Sequence, residues 1–223
     1  MISTCVVRND DKIRCEDNLW LSVTGDSVKG AIMDGCGSGV ESSFASSLLK
    51  KIINECYRED SSFAITSDLF IYRIMTKLGD VKNCLNLNNN EIWSTLILFE
   101  YDINSHTLHT RVLGDGIIVK NGSISIIDTG AVDYLGSHLE DKFDYIHSCP
   151  LIIDEDILSF RISSDGLYKV ECSQFNDKNK IDNPVDYLLE EVKSPTQLDR
   201  RANILKRQGY KFKDDLSIIA YDN

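Results

Sequence analysis

Five places in the chain set a carboxylate at the edge of an apolar run, beside a glycine or a second carboxylate. Asp34 follows Ala31-Ile32-Met33 and precedes Gly35, Gly37 and Gly39. Asp115 stands in Gly114-Asp115-Gly116, Asp165 in Ser164-Asp165-Gly166, Asp214 before Asp215, and Glu16 before Asp17. Carboxylates that converge repel one another unless cations occupy the cluster. Mg2+ and Mn2+ suit an all-oxygen donor set. Two such ions about 4 Å apart hold a bridging hydroxide and clamp a phosphoryl group for in-line attack. Each place also has a plainer reading, because Asp-Gly is a turn dipeptide and Gly30 to Ser43 alone reads as a solvated strand-to-helix turn.

The elements that must position these residues follow from periodicity. Ile2 to Arg8, Leu19 to Val23 and Val28 to Met33 read as strands, the last two as a hairpin across Gly25-Asp26-Ser27. Glu41 to about Arg58 is helical, with Phe44, Leu48, Leu49, Ile52 and Ile53 on one face. Phe63 to about Leu85 forms a second helix with Leu69, Ile71, Tyr72, Ile74, Met75 and Leu78 as its apolar set. Trp93 to Tyr101, His106 to Leu113, Gly116 to Lys120 and Ser123 to Ile127 read as an antiparallel meander, with Asn121-Gly122 a strong hairpin signal. Residues 128–155 read as loops or a flap, Asp156 to Ser163 as a strand, and 173–182 as a polar loop. Pro184 to Val192 and Thr196 to Arg207 are helices with prolines near their starts, and Leu216 to Tyr221 closes the chain as a strand. The expectation is one α+β domain over residues 1–223.

Charge narrows the partners. There are 24 Lys and Arg against 35 Asp and Glu, a formal charge of −11, which repels phosphate backbones and argues against nucleic acid. The seven cysteines are odd in number and include no CxxC pair, so neither a disulfide framework nor a structural zinc site is expected. Reducing cytoplasm is the expected setting. The opening MISTCVVRNDDK has no basic and apolar regions of a signal peptide, and no apolar run is long enough to span a membrane.

Taken in order, the motifs resemble those of the metal-dependent serine/threonine protein phosphatases, the type 2C or PPM family. Arg14-Cys15-Glu16-Asp17-Asn18 resembles the early Arg…Glu-Asp motif, and Met33-Asp34-Gly35-Cys36-Gly37-Ser38-Gly39 the Asp-Gly-x-Gly motif. Ser94-Thr95-Leu96 with Val112-Leu113-Gly114-Asp115-Gly116 resembles the Thr-rich strand and Gly-Asp motif. Ile162-Ser163-Ser164-Asp165-Gly166-Leu167 resembles the Ser-Asp-Gly motif, and Asp214-Asp215-Leu216-Ser217 the closing motif. The resemblance covers nearly the whole chain and is nearest to compact bacterial members. It implies a four-layer αββα sandwich, two antiparallel β-sheets flanked by antiparallel helices, with a dinuclear site at one end.

The resemblance further implies Mg2+ or Mn2+, two per site, with a third ion as an option. Asp34 would bridge the two ions and the Gly35 carbonyl would ligate one. Asp165 and Asp214 would complete one shell, and Glu16 and Asp17 would surround the other. Asp115 and Asp165 match positions that can hold the third ion. The implied reaction is hydrolysis of phosphoserine and phosphothreonine in proteins by a metal-bound hydroxide, with Asp34 and Asp165 essential. The implied partner is a phosphoprotein made by a Ser/Thr kinase. A cation near Glu16 would bind the substrate phosphate, and Arg14 is assigned that role, with Lys12 and Arg8 as alternatives. Arg14 stands closer to Glu16 than in the commoner form of the motif. Cys36 stands where many eukaryotic members carry a histidine proposed as general acid, so the proton donor is left open.

Other readings fit less well. A cysteine phosphatase needs a phosphate-cradling Arg soon after the thiolate, and Gly37 to Ser43 contains none. The glycines fail nucleotide-loop spacing, with no Lys-Ser/Thr after them. His106 and His109, three apart on a strand, would face opposite ways and share no metal. The alternative of a different class is a catalytically silent phosphatase-like binding or regulatory module, which would usually lack Asp34, Asp165 or Asp214.

Overall fold

The computed structural model describes residues 1–39, 42–127, 133–172 and 181–223. The strands are β1 Ile2–Val7, β2 Asp17–Thr24, β3 Ser27–Gly35, β4 Ser94–Asp102, β5 Thr107–Leu113 and β6 Gly116–Lys120, then β7 Ser123–Ile127, β8 Ile152–Asp154, β9 Ser159–Ser163, β10 Val170–Cys172, β11 Tyr210–Phe212 and β12 Leu216–Asp222. The helices are α1 Ser42–Glu59, α2 Asp68–Leu85, α3 Lys142–Ser148, α4 Pro184–Leu189 and α5 Gln197–Arg207. Two five-stranded antiparallel sheets run β1-β12-β9-β6-β7 and β2-β3-β4-β5-β8, and β10 pairs with β11 in a short ribbon.

Three apolar layers hold the sandwich together. Between the sheets, Val28, Ile32, Ile97 and Phe99 meet Phe160, Ile162, Ile219 and Tyr221. On the outer face of the β2–β8 sheet, Ala31, Met33, Leu96 and Leu98 receive Leu49 and Ile53 of α1 and Ile71, Ile74 and Met75 of α2. On the outer face of the other sheet, Cys5, Ile117, Ile218 and Ala220 receive Leu188 of α4 and Leu198, Ala202 and Leu205 of α5. The order of layers is α, β, β, α, as the resemblance implied.

Several expectations need correction. The four middle strands are not one meander: β4 and β5 belong to one sheet, β6 and β7 to the other. The chain changes sheets at Gly114 (φ +109°) and Gly116, where a Cβ on Gly114 would lie 2.8 Å from the Thr95 side chain. Only glycine satisfies both the backbone and the space there. The stretch expected as loops contains α3 and β8, while its residues 128–132 lie outside those described. Residues 173–180 of the expected polar loop are likewise outside, and so is Glu41, expected to open α1. β10 and β11 were too short to read from alternation. The strand expected from Asp156 starts late, at Ser159, after Asp156 with φ +59°. Helix α2 starts at Asp68, not Phe63, because Ser67 caps it by accepting from the Phe70 N–H at 3.3 Å. Leu69 and Tyr72, counted in its apolar face, are about half exposed, and Phe70 is buried instead. His106, with φ +53°, precedes β5 rather than lying in it. The Asn121-Gly122 hairpin has both residues at positive φ, as that turn requires. Among the described residues no helix is long and apolar enough to cross a membrane.

Candidate active site

Side chains alternate along a strand, so the face of β3 that carries Val28 and Ile32 into the inter-sheet core carries Asp34 at its end. Asp17, the first residue of β2, is paired directly opposite Asp34. The apolar layer between the sheets therefore ends in two facing carboxylates. From the other sheet, Ser164 Oγ donates to Asp17 Oδ2 at 2.6 Å. The second oxygen of Asp17, buried, has no hydrogen-bond partner among the described residues. Burial pushes the Asp17 carboxyl up to about 7 against the pull of the Ser164 hydroxyl. Asp34, half-buried at the pocket wall, is raised well above the usual carboxylate range by desolvation and then by the charges of Asp17 and Asp165.

Glycines bring the other carboxylates in. A Cβ on Gly35 would lie 2.1 Å from the Ser42 carbonyl oxygen, and one on Gly166 would lie 1.8 Å from that of Asp215. The Asp-Gly pairs at 34–35 and 165–166 are therefore points of backbone contact rather than hairpin turns. Asp165 opens a short 3-10 turn after β9, and Asp214 precedes β12. Asp215, which the motif did not single out, points inward: it is buried and accepts the Asn9 N–H at 2.5 Å and the Glu16 N–H at 2.7 Å. It thereby fixes the loop that carries Glu16.

Two lysines stand among these acids. The Lys12 ammonium hydrogen-bonds Glu16 and lies 3.3 Å from Asp214 Oδ1 and 3.8 Å from Asp215 Oδ2. The Lys169 ammonium lies 2.6 Å from Asp165 Oδ2 and 2.7 Å from Asp214 Oδ2. Burial works against both ammoniums, yet their acidic partners hold them above the ordinary lysine value. Burial likewise raises Asp214, but Lys169 and then Lys12 more than offset it and hold this carboxyl low.

One pocket unites Glu16, Asp34, Gly35, Asp115, Asp165 and Asp214 with Lys12, Lys169, Cys36, Thr95 and Tyr134. Asp17 sits behind Asp34 in its wall. Tyr134, stacked on Trp93 at 5.5 Å, and Lys169, which meets Asp214 45 positions away, belong to no motif that the sequence singled out. Cys36 is buried with its Sγ 3.0 Å from Ser38 Oγ. Arg14 is exposed and lines a neighbouring groove with Phe44, Leu87 and Glu91, while its alternative Lys12 lines the acidic pocket.

The donor chemistry of the pocket fits a hard divalent cation. Its donors are oxygens, they repel one another, and one buried carboxylate oxygen lacks a partner. Among the described residues, no three acidic, thiol or imidazole side chains are grouped closely enough to chelate an ion as they stand. The ammoniums of Lys12 and Lys169 hold the oxygens of Glu16, Asp165 and Asp214.

No protein-family model matches the sequence, and no curated protein matches it. Solved structures do. RsbX in complex with magnesium aligns with TM-score 0.59 at 16% identity, covering 97% of this chain and 92% of that one. The PP2C phosphatase domain with a regulatory fragment of the cell fate determinant SpoIIE, from Bacillus subtilis, aligns at 0.63 and 17% identity. It covers 98% of this chain, which spans 60% of that longer one. The catalytic domain of the serine/threonine protein phosphatase PstP, in complex with two manganese ions, aligns at 0.59 and 12% identity over 100% of this chain and 97% of that one. At such identities the likeness is one of fold: the chain has the PP2C-type phosphatase fold.

Proposed function

We propose that this chain is a compact, bacterial-type PPM phosphatase that hydrolyses phosphoserine and phosphothreonine in proteins and depends on Mg2+ or Mn2+. The observation that carries the reading is the convergence of Asp17, Asp34, Asp165 and Asp214 at one end of a sandwich shared with phosphatases. Asp165 and Asp214 would hold one ion and Glu16 and Asp17 would surround the other, with Asp34 serving both and the Gly35 carbonyl one of them. Asp115 and Asp165 would serve a third. Such ions stabilise the charge that gathers on phosphoryl oxygens and lower the pKa of water toward neutrality.

The remaining roles belong to the chain itself. Asp215 holds the loop from Asn9 to Glu16 in place by accepting the N–H of each of those two residues. Lys12, at the pocket, presents a point charge to the ester phosphate. Arg14, in the adjoining groove, is placed to meet the protein chain around the phosphorylated residue. Cys36 is a wall residue, since no Arg follows it to cradle a phosphate.

The test is hydrolysis of a phosphothreonine peptide and a chromogenic phosphate ester by protein stripped with EDTA and reloaded with Mn2+ or Mg2+. Turnover should require the ion, and Asp34→Asn and Asp165→Asn should lose at least about 100-fold, the upper range for disturbing even outer-shell partners of a metal. Full activity in EDTA would sink the mechanism. A folded wild type inert with every ion and both substrates would instead support the silent module of the same fold.

A further inference from the structure

We infer that Lys12 and Lys169 are built-in counter-ions of the acidic pocket, competing with a divalent cation for the same carboxylate oxygens, so that ion uptake releases their ammoniums to bind the phosphate anion. This rests on the metal-dependent reading above. Seven carboxylates lie in or behind the pocket: Glu16, Asp17, Asp34, Asp115, Asp165, Asp214 and Asp215. Both lysines converge on Asp214, one at each oxygen, 3.3 Å from Oδ1 and 2.7 Å from Oδ2. Each spans a second acid as well, Lys12 reaching Glu16 and Lys169 reaching Asp165. Three of the groups that fit an ion are thus already ion-paired with the chain's own two ammoniums.

The lysines are anchored at the backbone, and their ammoniums are held only by the pocket acids. The Lys169 N–H donates to Gly166 O at 3.1 Å and its carbonyl accepts from Lys213 at 2.8 Å, while the Lys12 N–H donates to Asn9 O at 3.2 Å. Their side chains are 46% and 29% exposed, so each ammonium can swing on its four-carbon stem without moving the fold. Surface ion pairs contribute little to stability, so a purely structural role explains little of this arrangement. An opposite charge within about 4–6 Å shifts a carboxylate's proton affinity by tenfold or more. A divalent ion bidding for that carboxylate meets the same field. Coupling of this kind is reciprocal: an ion that frees the ammoniums strengthens anion binding, and the anion strengthens ion binding.

Calorimetric titration of Mn2+ into EDTA-stripped, dialysed protein tests this without any turnover. Lys169→Met should bind Mn2+ roughly tenfold more tightly than wild type, Lys12→Met should shift the same way, and Lys169→Arg should return to the wild-type value. Inorganic phosphate should bind wild type more tightly with Mn2+ present than without, and Lys169→Met should lose most of that gain. Equal or weaker Mn2+ binding by both Met variants would overturn the competition, leaving the metal reading intact. A folded wild type that binds no Mn2+ would overturn the metal reading and this inference together.

Discussion

Replacing Asp34 by asparagine should raise the stability of the metal-free protein while abolishing its function. Asp34 faces Asp17 across β2 and β3 and feels Asp165 and Asp214 as well. Like charges directly opposite on neighbouring strands cost up to about 1 kcal/mol. The chain bears that cost either as repulsion or as an acid held protonated, and asparagine avoids both. For a chain of 223 residues, 1 kcal/mol moves the melting temperature by about 2–4 °C. Asp34→Asn should therefore melt about 2–4 °C above wild type in EDTA. With Mn2+ at about 100 times its dissociation constant, wild type gains about 2.7 kcal/mol, or about 5–11 °C, and the variant gains little. The order of melting should invert between the two buffers in a calorimetric scan. A variant less stable than wild type in EDTA would refute the repulsion argument. An equal Mn2+ shift in both proteins would remove Asp34 from the ligand set.

The other predictions are as direct. Gly166→Ala drives a Cβ into the Asp215 carbonyl and should cost about 3 kcal/mol with loss of activity, whereas Gly122→Ala meets no atom within 4 Å and should cost only about 1–2 kcal/mol for its positive φ; equal melting temperatures would contradict the contact. At saturating Mn2+, Lys12→Ala should lower kcat/KM about tenfold on both a small ester and a phosphopeptide, and Arg14→Ala only on the phosphopeptide; a matching loss for Arg14→Ala on the small ester would return the phosphate to Arg14. Cys36→Ser should stay within a few-fold of wild-type turnover, and a folded, Mn2+-binding but inert variant would reopen thiol catalysis. His138 lies with Nδ1 2.9 Å from Asp141 and Nε2 2.5 Å from Asp133. Burial lowers its pKa, but the hydrogen bonds to Asp141 and Asp133 outweigh this and raise it. Its contribution is then full below the unfolded value of about 6.5 and lost as pH rises through the raised folded one. The melting gap between wild type and His138→Gln should be widest below the unfolded value and should narrow as pH rises above it, and a constant gap would mean the charge plays no part.

The sequence by itself was enough to mark the acids and most elements. Asp34, Asp115, Asp165 and Asp214 each sit where an apolar run breaks at or near a glycine or second acid, a local signal that needs no partner. The Asn121-Gly122 hairpin and the long apolar stripes of α1 and α2 are local as well. The partition of strands was not legible, because β4 and β6 are buried on both faces and their alternation carries no record of which sheet they join. The change of sheet rests on Gly114, whose φ and clearance from Thr95 exist only once the two sheets have met. Nor could adjacent Asp214 and Asp215 be told apart. One opens to the pocket and the other turns inward because the Asn9 and Glu16 amides, about 200 residues away, wait there. The two lysines are partly the same case: their pairs with Glu16 and Asp165 are four residues apart and Lys12 was in view beside Glu16, but Lys12 meets Asp214 across 202 positions and Lys169 across 45. Long-range charge pairing leaves no pattern in the chain, so only the tertiary structure brought both ammoniums onto Asp214.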